Sequence, residues 1–152
     1  MAILKVVRHP NPILSQKALP VLRVNRKLRR LVHDMIETMY QEDGVGLAAP
    51  QVGVPKQIVV ISPQGTRGEE QVLFNLQVIE CSSKQEVDAE GCLSLPGLTA
   101  EIPRARKIAY TALDLNGFPV RETAEGFHAR VIQHERDHLN GILILKYAAS
   151  LR

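Results

Sequence analysis

The sequence predicts an α+β fold built mainly of antiparallel sheets packed around a C-terminal helix, with a second helix near the N-terminus. Three observations carry that expectation. An apolar helical stripe comes early, several β-rich runs follow it without regular βαβ alternation, and a second helical segment lies near the end. At 152 residues the chain is long enough for one domain with a genuine core and short for two, so residues 1–152 are read as a single domain.

The opening ILKVV is strand-like, and the first 33 residues hold eight Lys or Arg and no acid. A transit peptide shares that charge pattern, but this segment has one Ser and three Pro and runs straight into a well-patterned helix, so a solvated basic face is expected instead. Asn25 is the expected N-cap of that helix, whose stripe is Leu28, Leu31, Val32, Met35, Ile36 and Met39. The helix should stop before Gly44, because GVGLAAPQVGVP (44–55) carries too much Gly and Pro for regular structure.

QIVVI (57–61), QVLFNLQVI (71–79) and KIAYTALDL (107–115) read as strands bounded by turn residues, and NGF (116–118) as a hairpin turn into PVRET. EGCLSLPG (90–97) places Gly beside a thiol, with Pro96 and Gly97 turning the chain afterwards. A second helix is expected from near Thr123, with Glu125 in its first turn and Gly141 as its stop, turning Phe127, Val131, His134, Glu135 and His138 inward.

The composition, 45% hydrophobic and 23% charged, with no apolar run near the roughly 18 residues of a spanning helix, describes a soluble globular protein. No secretory signal is visible, and two cysteines do not make a disulfide scaffold, so a reducing compartment is expected. The location that fits is cytoplasmic, of bacterial type, with an organellar one left open. Nothing points to DNA or a membrane; the basic opening leaves a weak affinity for RNA or an acidic partner, without the aromatic interleaving of a dedicated nucleic-acid surface.

HERDHLNG (134–141) poses the chemical question. Histidines four apart share a helix face, so His134 and His138 can grip one divalent metal with Glu135 beside it. Such a catalytic metal takes three protein ligands and keeps a position open for water. A further His three residues after the Gly would complete one known pattern, but Ile144 stands there, and the tail LNGILILKYAASLR holds no Glu, Asp, His or Cys. The third ligand must come from upstream, where Cys92, Cys81, His128, His33, His9 and several carboxylates are available. Cys92 stands apart by its Gly-flanked setting, whereas Cys81 reads as a strand-end thiol, His33 as polar-face and His128 as exposed.

GVGLAAPQ (44–51), EGCLS (90–94) and QHERDH (133–138) together resemble the three signature motifs of the peptide deformylases, in the same order and at similar separations. The resemblance extends over nearly the whole chain. It implies a metal held by Cys92, His134 and His138 on the C-terminal, metal-binding helix, with Fe2+ in the cell and Zn2+, Ni2+ or Co2+ able to replace it. It implies Glu135 as general base and then acid, and the Gln51 amide with the Leu93 backbone N–H as oxyanion donors. An extended N-formylmethionyl peptide would bond to backbone near Val45, Gly46 and Gly91. Its first side chain would enter a pocket near Phe127, Arg130 and Val131, the Arg130 stem lining it with the head in water. Arg104 and Asp137 are candidates for supporting the ligands or anchoring substrate.

Two features depart from many relatives. The tail ends 14 residues after His138, where bacterial members often carry a longer helix that contacts the ribosome. Any ribosome association would therefore be weak and fall to the basic N-terminal segment. Leu76 stands in FNLQV where Pro is common. Two competing readings are a general metal-dependent peptidase or amidase, and a silent peptide-binding module; the presence of Gln51, Cys92 and Glu135 argues against the second.

Overall fold

Asn25 opens the first helix, α1 (Arg26–Gln41), by accepting the Leu28 N–H on its side-chain oxygen at 2.9 Å. The stripe then buries Leu28, Val32, Met35 and Met39, with Thr38 among them returning its hydroxyl to the Asp34 carbonyl at 2.7 Å. The structure is a computed structural model that describes residues 2–150, side chains excepted for 148–150.

Among the described residues seven strands follow: β1 (Gly46–Ala48), β2 (Ile58–Ile61), β3 (Gln71–Cys81), β4 (Gln85–Cys92), β5 (Leu95–Ala105), β6 (Lys107–Leu113) and β7 (Pro119–Glu125). They form a five-stranded sheet, β1-β2-β3-β6-β7, and a separate two-stranded hairpin, β4-β5, all pairings antiparallel. The helix α2 (Gly126–Leu139) and the short α3 (Leu145–Ser150) complete the chain. Among the described residues no helix is long and apolar enough to cross a membrane.

The two faces of the large sheet take different helices. Along β2, Ile58 and Val60 join α1 with Met35 and Met39, while Val59 and Ile61 join Ala129 and Ile132 of α2. Alternate side chains of a strand point to opposite faces, so a four-residue run that is wholly buried requires cover on both sides. The sheet is accordingly sandwiched, and α2 lies deep enough that polar residues are buried along with apolar ones. A third cluster, Leu14, Leu95, Ile102, Leu143 and Ile144, joins the hairpin to the segments before α1 and after α2.

An extended strap precedes α1. It donates Ala2 N–H to Asp34 Oδ1 (3.0 Å) and Leu4 N–H to Thr38 Oγ1 (2.8 Å), then Val7 N–H to the Gln51 carbonyl (2.6 Å) and His9 N–H to the Ser94 carbonyl (3.0 Å). Asn75, left-handed at φ 55° within an irregular stretch of β3, clasps both main-chain groups of Val21 at 2.7 and 2.9 Å. Its neighbour Leu76 is buried in the core.

Several expectations are corrected. Residues 44–55 are not wholly irregular, because Gly46–Ala48 pairs with Val59–Ile61 as an edge strand before a single 3-10 turn over Ala49–Val52. The second helix begins at Gly126 rather than near Thr123, since Thr123–Glu125 stays in register with Lys107–Ala109. Pro96 and Gly97 lie inside β5. There they form an irregularity opposite the Gly91–Cys92 step, and the chain reverses earlier, at Leu93 and Ser94. Proline is tolerated there because β5 has only one partner strand.

Candidate metal centre

Cys92, at the end of β4, meets α2 through the sheet topology rather than through chain proximity. Its Sγ lies 3.3 Å from His138 Nε2, and one donor atom from each of Cys92, His134 and His138 falls within 4.8 Å of the others. The two rings, 5.1 Å apart between centroids, meet at 64°. Tetrahedral binding at about 2.3 Å to sulfur and about 2.05 Å to nitrogen places S and N about 3.5 Å apart, so the spacing suits a first-row divalent ion.

The ring nitrogens are assigned by their other partners. His134 Nδ1 is 2.9 Å from Glu90 Oε1, which keeps a proton on Nδ1 and leaves Nε2 as the nitrogen that would give up its proton to take a metal. Cys92 and Glu90 call for positive charge at that point: although burial opposes it, they lift His134 to about 10. Burial, helped by the positive charge of His134 and Arg104, drives His138 well below its ordinary value and keeps it neutral, as a ligand must be. His138 Nδ1 is a buried atom without a hydrogen-bond partner among the described residues.

Glu135 follows its histidine and turns toward β1. Its Oε1 is buried without a hydrogen-bond partner among the described residues, and burial pushes its carboxyl up to about 7, the neighbouring charges acting in both directions. Gln51 sits on the 3-10 turn after β1, with Oε1 accepting the Ala48 N–H (3.0 Å) and Nε2 directed at Ser94 Oγ (3.2 Å) and Cys92 Sγ (3.7 Å). A cleft of about 360 Å³ opens over these groups. Val45, Gly46 and Gln51 line it from β1 and the segments on either side of it, Gly91, Cys92 and Leu93 from the hairpin, and Phe127, Arg130, Val131, His134 and Glu135 from α2.

The sequence did not single out Glu90, which lies at the centre of the buried polar cluster. Its carboxylate accepts from His134, from Arg104 Nε and Nη2 (3.0 Å each) and from Arg130 Nη1 (2.6 Å). Burial alone would raise its pKa, but the hydrogen bonds from His134 and Arg104 outweigh that and hold it at about 2. The available clue was spacing, because residues two apart on a strand share a face and Glu90 stands two before Cys92. Gln133 was also missed. It bonds the Ala105 N–H (3.2 Å) and carbonyl (2.9 Å), stitching the end of β5 to α2.

Four placements differ from expectation. Arg104 does not line the cleft; it is buried, its guanidinium shared between Glu90 and Asp137 (2.7 Å), a placement that fits supporting the ligands rather than anchoring substrate. The Arg130 head does not reach water but is 6% exposed and bonded inside the protein, because Glu90 offers it a buried charge. Phe127, 53% exposed, lies at the cleft rim rather than inward. His128 is half-buried, 2.7 Å from Gln71 Oε1.

A helix-borne His-Glu-x-x-His, a converging thiol and a carboxylate beside an open cleft define a metal-dependent hydrolase. The chain belongs to the polypeptide deformylase family, whose model matches residues 3–152. It is 45% identical to the peptide deformylase of Symbiobacterium thermophilum over 152 residues, covering 100% of this chain and 70% of that one. With the Halothermothrix orenii enzyme the identity is 46%, over 95% of this chain and 93% of the relative. The crystal structure of the Thermotoga maritima peptide deformylase superimposes with a TM-score of 0.93 at 38% identity, covering 97% of this chain and 98% of the other.

Proposed function

We propose that the protein removes the N-formyl group from N-formylmethionyl peptides by hydrolysis, with Cys92 Sγ, His134 Nε2 and His138 Nε2 holding the metal. The observation that carries this reading is the meeting of Cys92 with the imidazole pair beside Glu135 and Gln51 under one cleft. One soft thiolate and two imidazoles accept iron, zinc, nickel or cobalt. Family resemblance favours Fe2+ in the cell.

A metal bound there supplies Lewis acidity, polarising a carbonyl oxygen and acidifying water. The chain's own residues do the rest. Glu135 takes a proton from the attacking water as its oxygen bonds to the formyl carbon. Gln51 Nε2 and the Leu93 N–H hold the developing oxyanion. The C–N bond then breaks, Glu135 returns the proton to the departing nitrogen, and formate and a free amino terminus leave. Backbone at Val45, Gly46 and Gly91 aligns the peptide as an added strand, and Val131, the Arg130 stem and Phe127 bound the space for its first side chain.

The weak ribosome association we propose would use the outer face of α1, where the exposure of Arg26, Arg29, Arg30 and His33 supports it. The deciding assay incubates anaerobically purified, metal-quantified protein with a formylmethionyl tripeptide and with its unformylated counterpart. Formate release from the first alone supports the reading; faster cleavage of a peptide bond in the second overturns it.

A further inference from the structure

We infer that Arg130 is a positioning residue for the metal centre, locking the hairpin that carries Cys92 onto the helix that carries both imidazoles. This rests on the metal reading above.

Cys92 belongs to a two-stranded hairpin, a unit of marginal stability on its own. Its sulfur can hold station against His134 and His138 only if the hairpin is fastened to α2. Arg130 projects from α2 and fastens both strands at once. Nη1 donates to Glu90 Oε2 of β4 (2.6 Å) and the Ile102 carbonyl of β5 (2.9 Å), and Nη2 to the Glu86 carbonyl of β4 (2.7 Å).

Arg104 cannot replace it, because Arg104 is itself a β5 residue and reaches α2 only through Asp137. The two arginines therefore divide the work. Arg104 neutralises Glu90 and Asp137 from within the hairpin, and, where Gln133 ties only the Ala105 end of β5, Arg130 ties the Cys92-bearing strand β4 across to α2. Three bonds in fixed directions need a planar fork; a lysine ammonium in the same place keeps the charge without that geometry. Glu90 also accepts from His134, so a loosened Arg130 is felt at a ligand ring as well as at the thiol.

The test compares wild type with Arg130→Met, which keeps the stem, and Arg130→Lys, which keeps the charge. Each is loaded with cobalt(II), and two quantities are read: the thiolate-to-cobalt absorption band and the rate of metal release to a chelator. Circular dichroism of the loaded proteins checks the fold. We expect both variants to release metal at least about tenfold faster, with a displaced band. Arg130→Lys keeps the inference testable if Arg130→Met fails to fold. Unchanged release and an unchanged band in the folded variants overturn the inference alone. A wild-type protein that binds cobalt without a thiolate band overturns the metal reading, and the inference with it.

Discussion

Glu135 occupies the space that a side chain on residue 46 would need: a Cβ built on Gly46 lies 2.5 Å from Glu135 Oε2 and 3.0 Å from its Cδ. The glycine on the edge strand and the carboxylate on the helix are therefore fitted to each other. Gly46→Ala must displace the carboxylate, and a shift of about 1 Å in a catalytic group can cost about 10²-fold in rate. The expected result is kcat lowered by about that factor with metal content unchanged, read by formate release beside metal analysis. Wild-type turnover would show that the carboxylate's placement is immaterial.

Glu135→Gln keeps the shape of the side chain and its fit against Gly46 while removing the carboxylate proposed to carry the proton. Metal content should stay at the wild-type level and kcat should fall by about 10²- to 10⁴-fold. Near-normal turnover with full metal loading would dismiss Glu135 as base and acid.

Cys92→Ala and His138→Ala should each lose the metal outright. Glu90→Gln makes a subtler case, because it leaves all three ligands but removes the charge that orients His134 and pairs with two buried arginines. Metal affinity should fall by about 10- to 100-fold, measured by competition with a chelator. Breaking a buried ion pair from one side costs about 3–5 kcal/mol, so urea unfolding should also move to lower concentration. Unaltered affinity would separate Glu90 from the metal.

His128 predicts an acid-sensitive fold. Burial lowers its folded pKa below the ordinary histidine value of 6.5, against the pull of the Glu122 carboxylate, while the unfolded chain titrates near 6.5. In the window just below 6.5 the unfolded state binds more protons, so stability is full above that pH and declines as pH falls toward the folded value. His128→Gln should flatten this part of the curve, measured as Tm across about pH 7.5 to about pH 5. A variant with the same slope as wild type would assign the acid sensitivity elsewhere.

Much of this arrangement is legible in the letters. The α1 stripe and Asn25 cap declare their helix because one face is apolar and the other charged. The histidine spacing declares its own face of α2, and the Val- and Ile-rich β2, β3 and β6 read as strands because the large sheet buries them. The β4–β5 hairpin is silent by comparison. Along β4 only Glu90 is buried, so no apolar alternation marks the strand. Edge strand β1 is silent too, since its glycine and its three-residue length are overruled by pairing with β2. The Glu90–Arg104–Arg130–Asp137 cluster reads as ordinary surface charge until the hairpin closes over α2 and removes it from water.

The extended strap at the start of the chain has a bearing on how the molecule can be damaged. Its Val7 and His9 amides splint the loops that bear Gln51 and Ser94, and those two side chains touch each other under the cleft. A protease that clipped the strap ahead of residue 10 would leave Cys92, His134, His138 and both long helices in the polypeptide, yet would unbrace the Gln51 side of the cleft. Such a nicked molecule would still carry its metal while turning over slowly, a form of ageing that an assay of metal content alone would overlook.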